Sequence, residues 1–382
     1  MEDKPARPPA TGRARAVLRG ALSLAVVLAV FVGVLPRIAD LGEVWATVGA
    51  MTGLELATVG AAAAWNLCSY WLVQVSALPG LRVGQAAVVT QSSTALANTV
   101  PAGAAVGVGV VYAMYASWGF SRSSITLSLL LSGIWNNFVK VGMPVIALAL
   151  LALQGDATAA LVAASLAGVG ALVVTLVGFG LLLRSDGLAR AVGSAAQRVA
   201  SAGLALVRRG PVSGWGEATV RFRSDTIGLL RRRAAALTVA TVVSHLSLYL
   251  VLVVALRHVG VSEDEVGAVE VLGAFAFVRL VSALPVTPGG IGVVELGLTA
   301  ALVVAGGDEE LVVAGVLVYR ALTYLFPIPF GALAYLWWRR YARVRDRGAG
   351  PDRPAARRPG SGGGTATPPR AARSAGRCAP PR

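Results

Sequence analysis

Four ionisable residues lie deep inside apolar runs: Lys140, Arg279, Glu295 and Arg320. A charge at the centre of a membrane-spanning helix costs about 2.5–3.5 kcal/mol on insertion scales, so such residues face protein or a water-filled cavity and mark functional paths. Two roles are open to this set. Glu295 pairs with Arg279 or Arg320 and locks a helix bundle. Alternatively, Lys140, Arg279 and Arg320 form a basic pocket for an anionic headgroup, with Glu295 tuning it. The two roles can hold together. Glu295 follows the break Pro288-Gly289-Gly290-Ile291-Gly292, and Arg279 precedes it. Proline removes a backbone donor and ends a helix; the glycines allow tight turning and close backbone approach. A helix that starts after such a break aims its N–H groups inward, where an anion is favoured. Pro101-Ala102-Gly103 offers the same arrangement in the first half. A plain turn between two short helices is the alternative, and it too needs protein or water around its backbone.

Other polar residues suggest a path or a packing seam. Thr90-Gln91-Ser92-Ser93-Thr94 leads to Asn98-Thr99, with Asn136 and Asn137 further on. These either line a hydrophilic route or satisfy freed backbone groups and let helices pack closely. His245, flanked by Ser244 and Ser247, reads as a packing or hydrogen-bonding residue. No nucleophile–base set and no acidic cluster for a metal is present. The two cysteines, Cys68 and Cys378, have no disulfide or metal spacing, and no cofactor is implied.

The elements that must position these residues are membrane helices. Hydrophobic residues make up 55% of the 382-residue chain and charged residues only 14%, against about 25% charged in a soluble domain. The net charge of +15 comes largely from three blocks outside the apolar runs: positions 1–20, 184–233, and 339 onward. Basic residues gather on the cytoplasmic side of membrane proteins, so topology explains this charge better than nucleic-acid binding does. The first apolar run ends at Pro36-Arg37 without an Ala-x-Ala site and reads as a retained helix rather than a cleaved leader.

The pattern predicts an all-α integral membrane protein. Six spanning helices are expected at about 18–36, 54–76, 125–153, 158–183, 236–257 and 311–338. Two broken stretches, 84–118 and 267–306, accompany them. With residues 1–17, the 184–235 loop and the tail 341–382 all cytoplasmic, each broken stretch must return to the side it entered from. Each is therefore a hairpin, re-entrant or made of two short crossings. Helix, hairpin and helix over 54–153 and again over 236–338 form an inverted repeat, with Pro101 aligning on Pro288 and Gly103 on Gly290. Inverted repeats with broken helices near the midplane are a transporter signature. The Arg-rich 184–235 segment reads either as an amphipathic element on the anionic inner leaflet or as a solvated loop. The tail, rich in Pro, Gly, Ala and Arg, is expected to be disordered.

The run from Ala283 to Glu295, Ala-Leu-Pro-Val-Thr-Pro-Gly-Gly-Ile-Gly-Val-Val-Glu, resembles the signature of the lysylphosphatidylglycerol synthase transmembrane region, the flippase-like domain family. Asn98-Thr99-Val100-Pro101-Ala102-Gly103, and Tyr319-Arg320 with Tyr324 and Pro327, fit the same pattern. The resemblance covers about residues 18–340 and implies a domain that moves aminoacylated phospholipids between leaflets. It carries Arg279, Pro288, Gly289, Gly290, Glu295 and Arg320 over as site positions. Full synthases add a soluble aminoacyl-transfer domain; here only a short Arg/Pro-rich stretch follows residue 340, so synthase activity is not expected.

The expected function is a flippase for a lipid or lipid-linked substrate in a bacterial cytoplasmic membrane, with both termini cytoplasmic. Its headgroup site would draw on Asn98, Pro101, Gly103, Lys140, Arg279, Pro288, Gly289, Gly290, Glu295, Arg320 and Tyr324. The alternatives are an accessory membrane protein that binds a lipid or partner without moving it, and a membrane-bound transferase. The Gly- and Ala-rich helices leave a homo-oligomer open.

Overall fold

The computed structural model describes residues 41–99, 103–154, 159–206, 210–282 and 288–348. Among them all regular structure is helical. In chain order the helices are α1 (Leu41–Ala50), α2 (Gly53–Ala77), α3 (Val83–Thr99), α4 (Gly103–Ser117), α5 (Arg122–Leu153) and α6 (Ala159–Arg184). They continue as α7 (Asp186–Leu206), α8 (Trp215–His258), α9 (Ala268–Val281), α10 (Val293–Val304), α11 (Glu309–Arg320) and α12 (Pro327–Gly348). A 3₁₀ turn (Pro288–Gly290) precedes α10, and a π turn (Ala321–Leu325) joins α11 to α12.

Five stretches are long and apolar enough to cross a membrane: Gly53–Ala77, Arg122–Leu153, Leu166–Arg184, Trp215–His258 and Glu309–Tyr341. They correspond to five of the six predicted spans. The sixth, 18–36, lies outside the described residues, as do the arm 1–17 and the tail beyond Gly348.

Both broken stretches are pairs of short helices. α3 and α4 have 17 and 15 residues, α9 and α10 have 14 and 12. At 1.5 Å per residue these are about 18–26 Å long, short of the roughly 30 Å hydrocarbon core. Each pair folds back on itself. Gly103 lies against the Leu96 and Ala97 carbonyls and Gly107 against Ser93, so α4 runs back along α3. Lipid supplies no hydrophobic force to press helices together, and small residues that admit close backbone contact supply the packing instead. A side chain at Gly103 would collide with the α3 backbone. In the second pair, Gly290 lies near Ser282 and Gly297 packs on Val278.

The centre of the bundle is the α2–α8 contact. α2 buries Val59, Ala63, Asn66, Ser69, Val73 and Ala77, a stripe at helical spacing. Its start is capped by Thr52, whose hydroxyl accepts from the Glu55 N–H at 3.3 Å while the Glu55 carboxylate accepts from the Thr52 N–H at 2.7 Å. Several polar atoms within the seam pair with one another: Asn66 Nδ2 donates to the Ser247 hydroxyl at 3.0 Å, and Ser69 donates to the Asn66 carbonyl at 2.6 Å. α9 packs on α5, and α10 on α11.

Of the two readings of the 184–235 segment left open by the sequence, an amphipathic element or a solvated loop, the structure favours the first and has helices there. α7 and the first half of α8 form an antiparallel helical hairpin. Asp186 pairs with Arg223 at 2.5 Å, Arg190 with Glu217 at 2.8 Å, and the Trp215 N–H donates to Gln197 Oε1 at 3.1 Å. α8 has 44 residues, about 66 Å, roughly twice the hydrocarbon thickness. The dense arginines obscured a small-residue face, Ala189 and Gly193, that lets α7 lie close on α8.

Candidate functional site

The break before α10 is shaped by left-handed backbone. Gly289, Gly290 and Gly292 have φ of 59°, 71° and 82°, a region that side chains with a Cβ enter at a cost. Pro288 opens the 3₁₀ turn. Glu295 occupies the first turn of α10, and its Oε2 accepts from the Gly292 N–H at 2.8 Å. One orphan donor of the helix start is thereby satisfied by a carboxylate, which the helix dipole also favours there.

The other carboxylate oxygen meets α11. Arg320 Nε donates to Glu295 Oε1 at 2.8 Å, with the two side chains 11% and 3% exposed. Arg320 Nη2 also donates to the Gly289 carbonyl at 3.2 Å. Of the two partners open to Glu295 in the sequence, the structure selects Arg320. The guanidinium lies 4.5 Å from the Tyr324 ring centroid, a stacking contact that suits a planar cation.

Tyr324 sits in the π turn, where the helix widens by one residue. Its hydroxyl donates to the Asn98 carbonyl at 2.6 Å, and Asn98 Nδ2 donates to the Tyr324 carbonyl at 3.3 Å. A Cβ on Gly289 would run into the Tyr324 ring and lie 3.0 Å from Asn98 Oδ1. Asn98 closes α3 just before the first break, and Gly289 belongs to the second. The two broken segments therefore meet around Tyr324, although they are far apart in the chain.

Asn98, Gly289, Glu295, Arg320 and Tyr324 form one connected cluster. Gly290 lies in the same turn. Pro101 is outside the described residues, and Gly103 serves the α3–α4 seam instead. Lys140 on α5 and Arg279 on α9 are half-buried and near each other, and neither is in an ion pair among the described residues. Arg279 Nε is buried without a hydrogen-bond partner. The polar run of α3 is partly inward: Thr90, Gln91 and Ser92 are buried, with side-chain oxygens lacking partners among the described residues.

Sequence reasoning missed three features of the site. His245, read as a packing or hydrogen-bonding residue, is buried and bonded through Nδ1 to the Thr241 carbonyl at 3.0 Å; what the sequence missed is that its Nε2 has no partner among the described residues and lies within electrostatic reach of Arg279 and Lys140. Gly292 reads as part of the break, but that its backbone N–H is taken by Glu295 is not visible in residue types. The π turn that aims Tyr324 has no sequence signal beyond Tyr319-Arg320. Among the described residues no group of His, Cys, Asp and Glu is placed to hold a metal.

Residues 18–331 match the family model described as the lysylphosphatidylglycerol synthase TM region. No curated protein matches the chain.

Proposed function

Because the chain belongs to the lysylphosphatidylglycerol synthase transmembrane-region family, we propose that it is a flippase that carries a lipid or lipid-linked substrate between leaflets through a headgroup site at the meeting of its two halves. The observation that carries this reading is the convergence of both breaks on Tyr324, beside the buried Glu295–Arg320 pair. Non-helical backbone at membrane depth is tolerated where it is enclosed by protein or lines a cavity, and broken helices of two repeats meeting at one point are a transporter arrangement.

The packing supports the inverted-repeat reading. The order of long helix, short pair, long helix occurs twice: α2, α3/α4, α5, and then α8, α9/α10, α11–α12. The first helices of the two units, α2 and α8, pack together. α5 of the first unit lies on α9 of the second. Reciprocally, Gly331 of α12 lies against Gln91 and Ala95 of α3. Such exchange is what a pseudo-two-fold axis between the units produces.

In this mechanism the acyl chains stay in lipid while the headgroup passes between the halves. Lys140 and Arg279 supply positive charge to an anionic headgroup. Arg320 is held by Glu295, so it orients the Gly289 turn rather than meeting substrate directly. Glu295, as the deep carboxylate, is the group able to take up a coupling proton and release Arg320. The chain would sit in a bacterial cytoplasmic membrane with its Arg-rich segments inside.

The test is reconstitution into liposomes with fluorescent lipids of differing headgroup, following leaflet exchange by dithionite quenching. Headgroup-dependent exchange that Arg279→Ala and Glu295→Gln abolish is the expected result. Absence of exchange for every headgroup with folded protein overturns the reading. It would favour a non-transporting accessory role, for which the α7–α8 hairpin, with Leu188, Val192 and Val199 exposed at 40%, 46% and 74%, provides a partner surface.

A further inference from the structure

We propose that Lys140, Arg279 and His245 form a seat for a phosphomonoester group between α5, α8 and α9. One apolar cluster joins these helices: Val139 and Met143 on α5, Leu248 on α8, and Phe275 and Val278 on α9 pack together. The three polar residues are set among them in sequence and within electrostatic reach of one another.

The seat is built but unsatisfied. His245 is 1% exposed. Its Nδ1 faces the Thr241 carbonyl at 3.0 Å, while Nε2 is buried without a partner, as is Arg279 Nε. A buried polar atom left unpaired costs free energy, and two such atoms beside a lysine with no ion pair among the described residues are not explained by packing. The buried carboxylate of α10 does not answer them, because Glu295 is already bound to Arg320 and to the Gly292 N–H. Two half-buried cations with no ion-pair partner among the described residues repel each other, and a bound anion removes that repulsion. The cations alone would accept any anion.

His245 narrows the choice. A carbonyl accepts only, so Nδ1 carries the ring proton there, and Nε2 of the neutral ring is an acceptor. A carboxylate or phosphodiester presents acceptors alone, so it bonds Nε2 only when the ring takes up a proton from solvent. A phosphomonoester has a second pKa of about 6 and supplies an exchangeable proton. That proton completes an Nε2–oxygen hydrogen bond whichever atom holds it, while Lys140 and Arg279 neutralise the remaining oxygens. The ligand class is therefore a monoester phosphate in preference to a diester. The seat stands on its own geometry; its use for a lipid headgroup rests on the flippase reading.

The test uses the full chain in neutral detergent, titrated with short-chain phosphatidic acid, short-chain phosphatidylglycerol, short-chain diacylglycerol and inorganic phosphate. Binding is read from the heat-unfolding midpoint. Phosphatidic acid is expected to raise the midpoint saturably and to bind about ten-fold more tightly than phosphatidylglycerol, with diacylglycerol inert; tenfold corresponds to about one charge-assisted hydrogen bond. Lys140→Met and Arg279→Gln should each weaken phosphatidic acid binding about ten-fold. His245→Gln, which offers an amide N–H, should narrow the gap between the two lipids. Equal binding of monoester and diester, or unchanged binding by the Lys140 and Arg279 variants, overturns the seat. If His245→Gln does not fold, the half-buried Lys140→Met still decides. Inorganic phosphate competing as well as the lipid keeps the seat but assigns it a soluble ligand and removes the headgroup role. Phosphatidic acid bound without leaflet exchange likewise keeps the seat and sinks the flippase.

Discussion

Removing the two partners of the Glu295–Arg320 pair one at a time should cost, in sum, clearly more than removing both together. The two groups are 2.8 Å apart with side chains 3% and 11% exposed. Unit charges about 4 Å apart attract by about 4 kcal/mol at an effective dielectric of about 20, and isolating one partner of a buried pair costs about 3–5 kcal/mol. Glu295→Gln keeps an acceptor for the Gly292 N–H but strands the Arg320 cation. Arg320→Gln strands the carboxylate, which retains that N–H alone. Each single variant should therefore lose about 3–4 kcal/mol. The double variant, with two neutral amides that can bond each other, should lose less than their sum by about 2–3 kcal/mol. The assay is reversible unfolding in mixed micelles, in which wild type, both singles and the double variant define a cycle. Additivity within about 0.5 kcal/mol would refute the coupling and with it the lock at the second break.

Three further outcomes follow from the same geometry. Gly289→Ala should be markedly more destabilising than Gly290→Ala in the same unfolding assay. Both have positive φ, but a methyl at Gly289 meets the Tyr324 ring and Asn98, whereas at Gly290 its nearest contact is the flexible Val294 side chain at 3.0 Å; equal losses would remove the steric argument. Tyr324→Phe deletes the 2.6 Å bond to the Asn98 carbonyl and should cost about 1 kcal/mol, while accelerating proteolysis or hydrogen exchange at the end of α3; unchanged exchange there would mean that the breaks are not tied by this bond. In the α8–α9 connection, the Ala268 N–H, together with the Arg257 guanidinium, holds the Glu263 carboxyl below its ordinary value of 4.5. A depressed carboxyl stabilises the fold above its unfolded pKa and loses that contribution as pH falls through the folded one. Stability should therefore decline below about pH 4.5, and Glu263→Gln should flatten that part of the pH profile.

The membrane character and helix order were legible because both are local. Apolar runs of spanning length and the scarcity of charge report transfer free energy residue by residue, and the five described spans fall where the runs do. The breaks were legible because proline and glycine interrupt helices through their own covalent structure. For the 184–235 segment the sequence left an amphipathic element and a solvated loop open, and the structure places helices there. These helices are held by pairings such as Arg223–Asp186 and by Gly193 against Trp215, Gly216 and Thr219, which become evident only when α7 lies beside α8.

For the site, residue type alone singled out Lys140, Arg279, Glu295 and Arg320, since intramembrane charge is costly wherever it falls. It could not say that Glu295 takes Arg320 and leaves Arg279 without an ion pair among the described residues, that Asn98 would meet Tyr324 across 226 positions, or that His245 would lie buried within electrostatic reach of Arg279 and Lys140. Those outcomes depend on which helix faces lie together. Helix-forming and insertion energies act within a segment, whereas pairing and burial are settled by contacts between segments, so composition determined what had to be hidden and only the tertiary packing decided from what, and beside what.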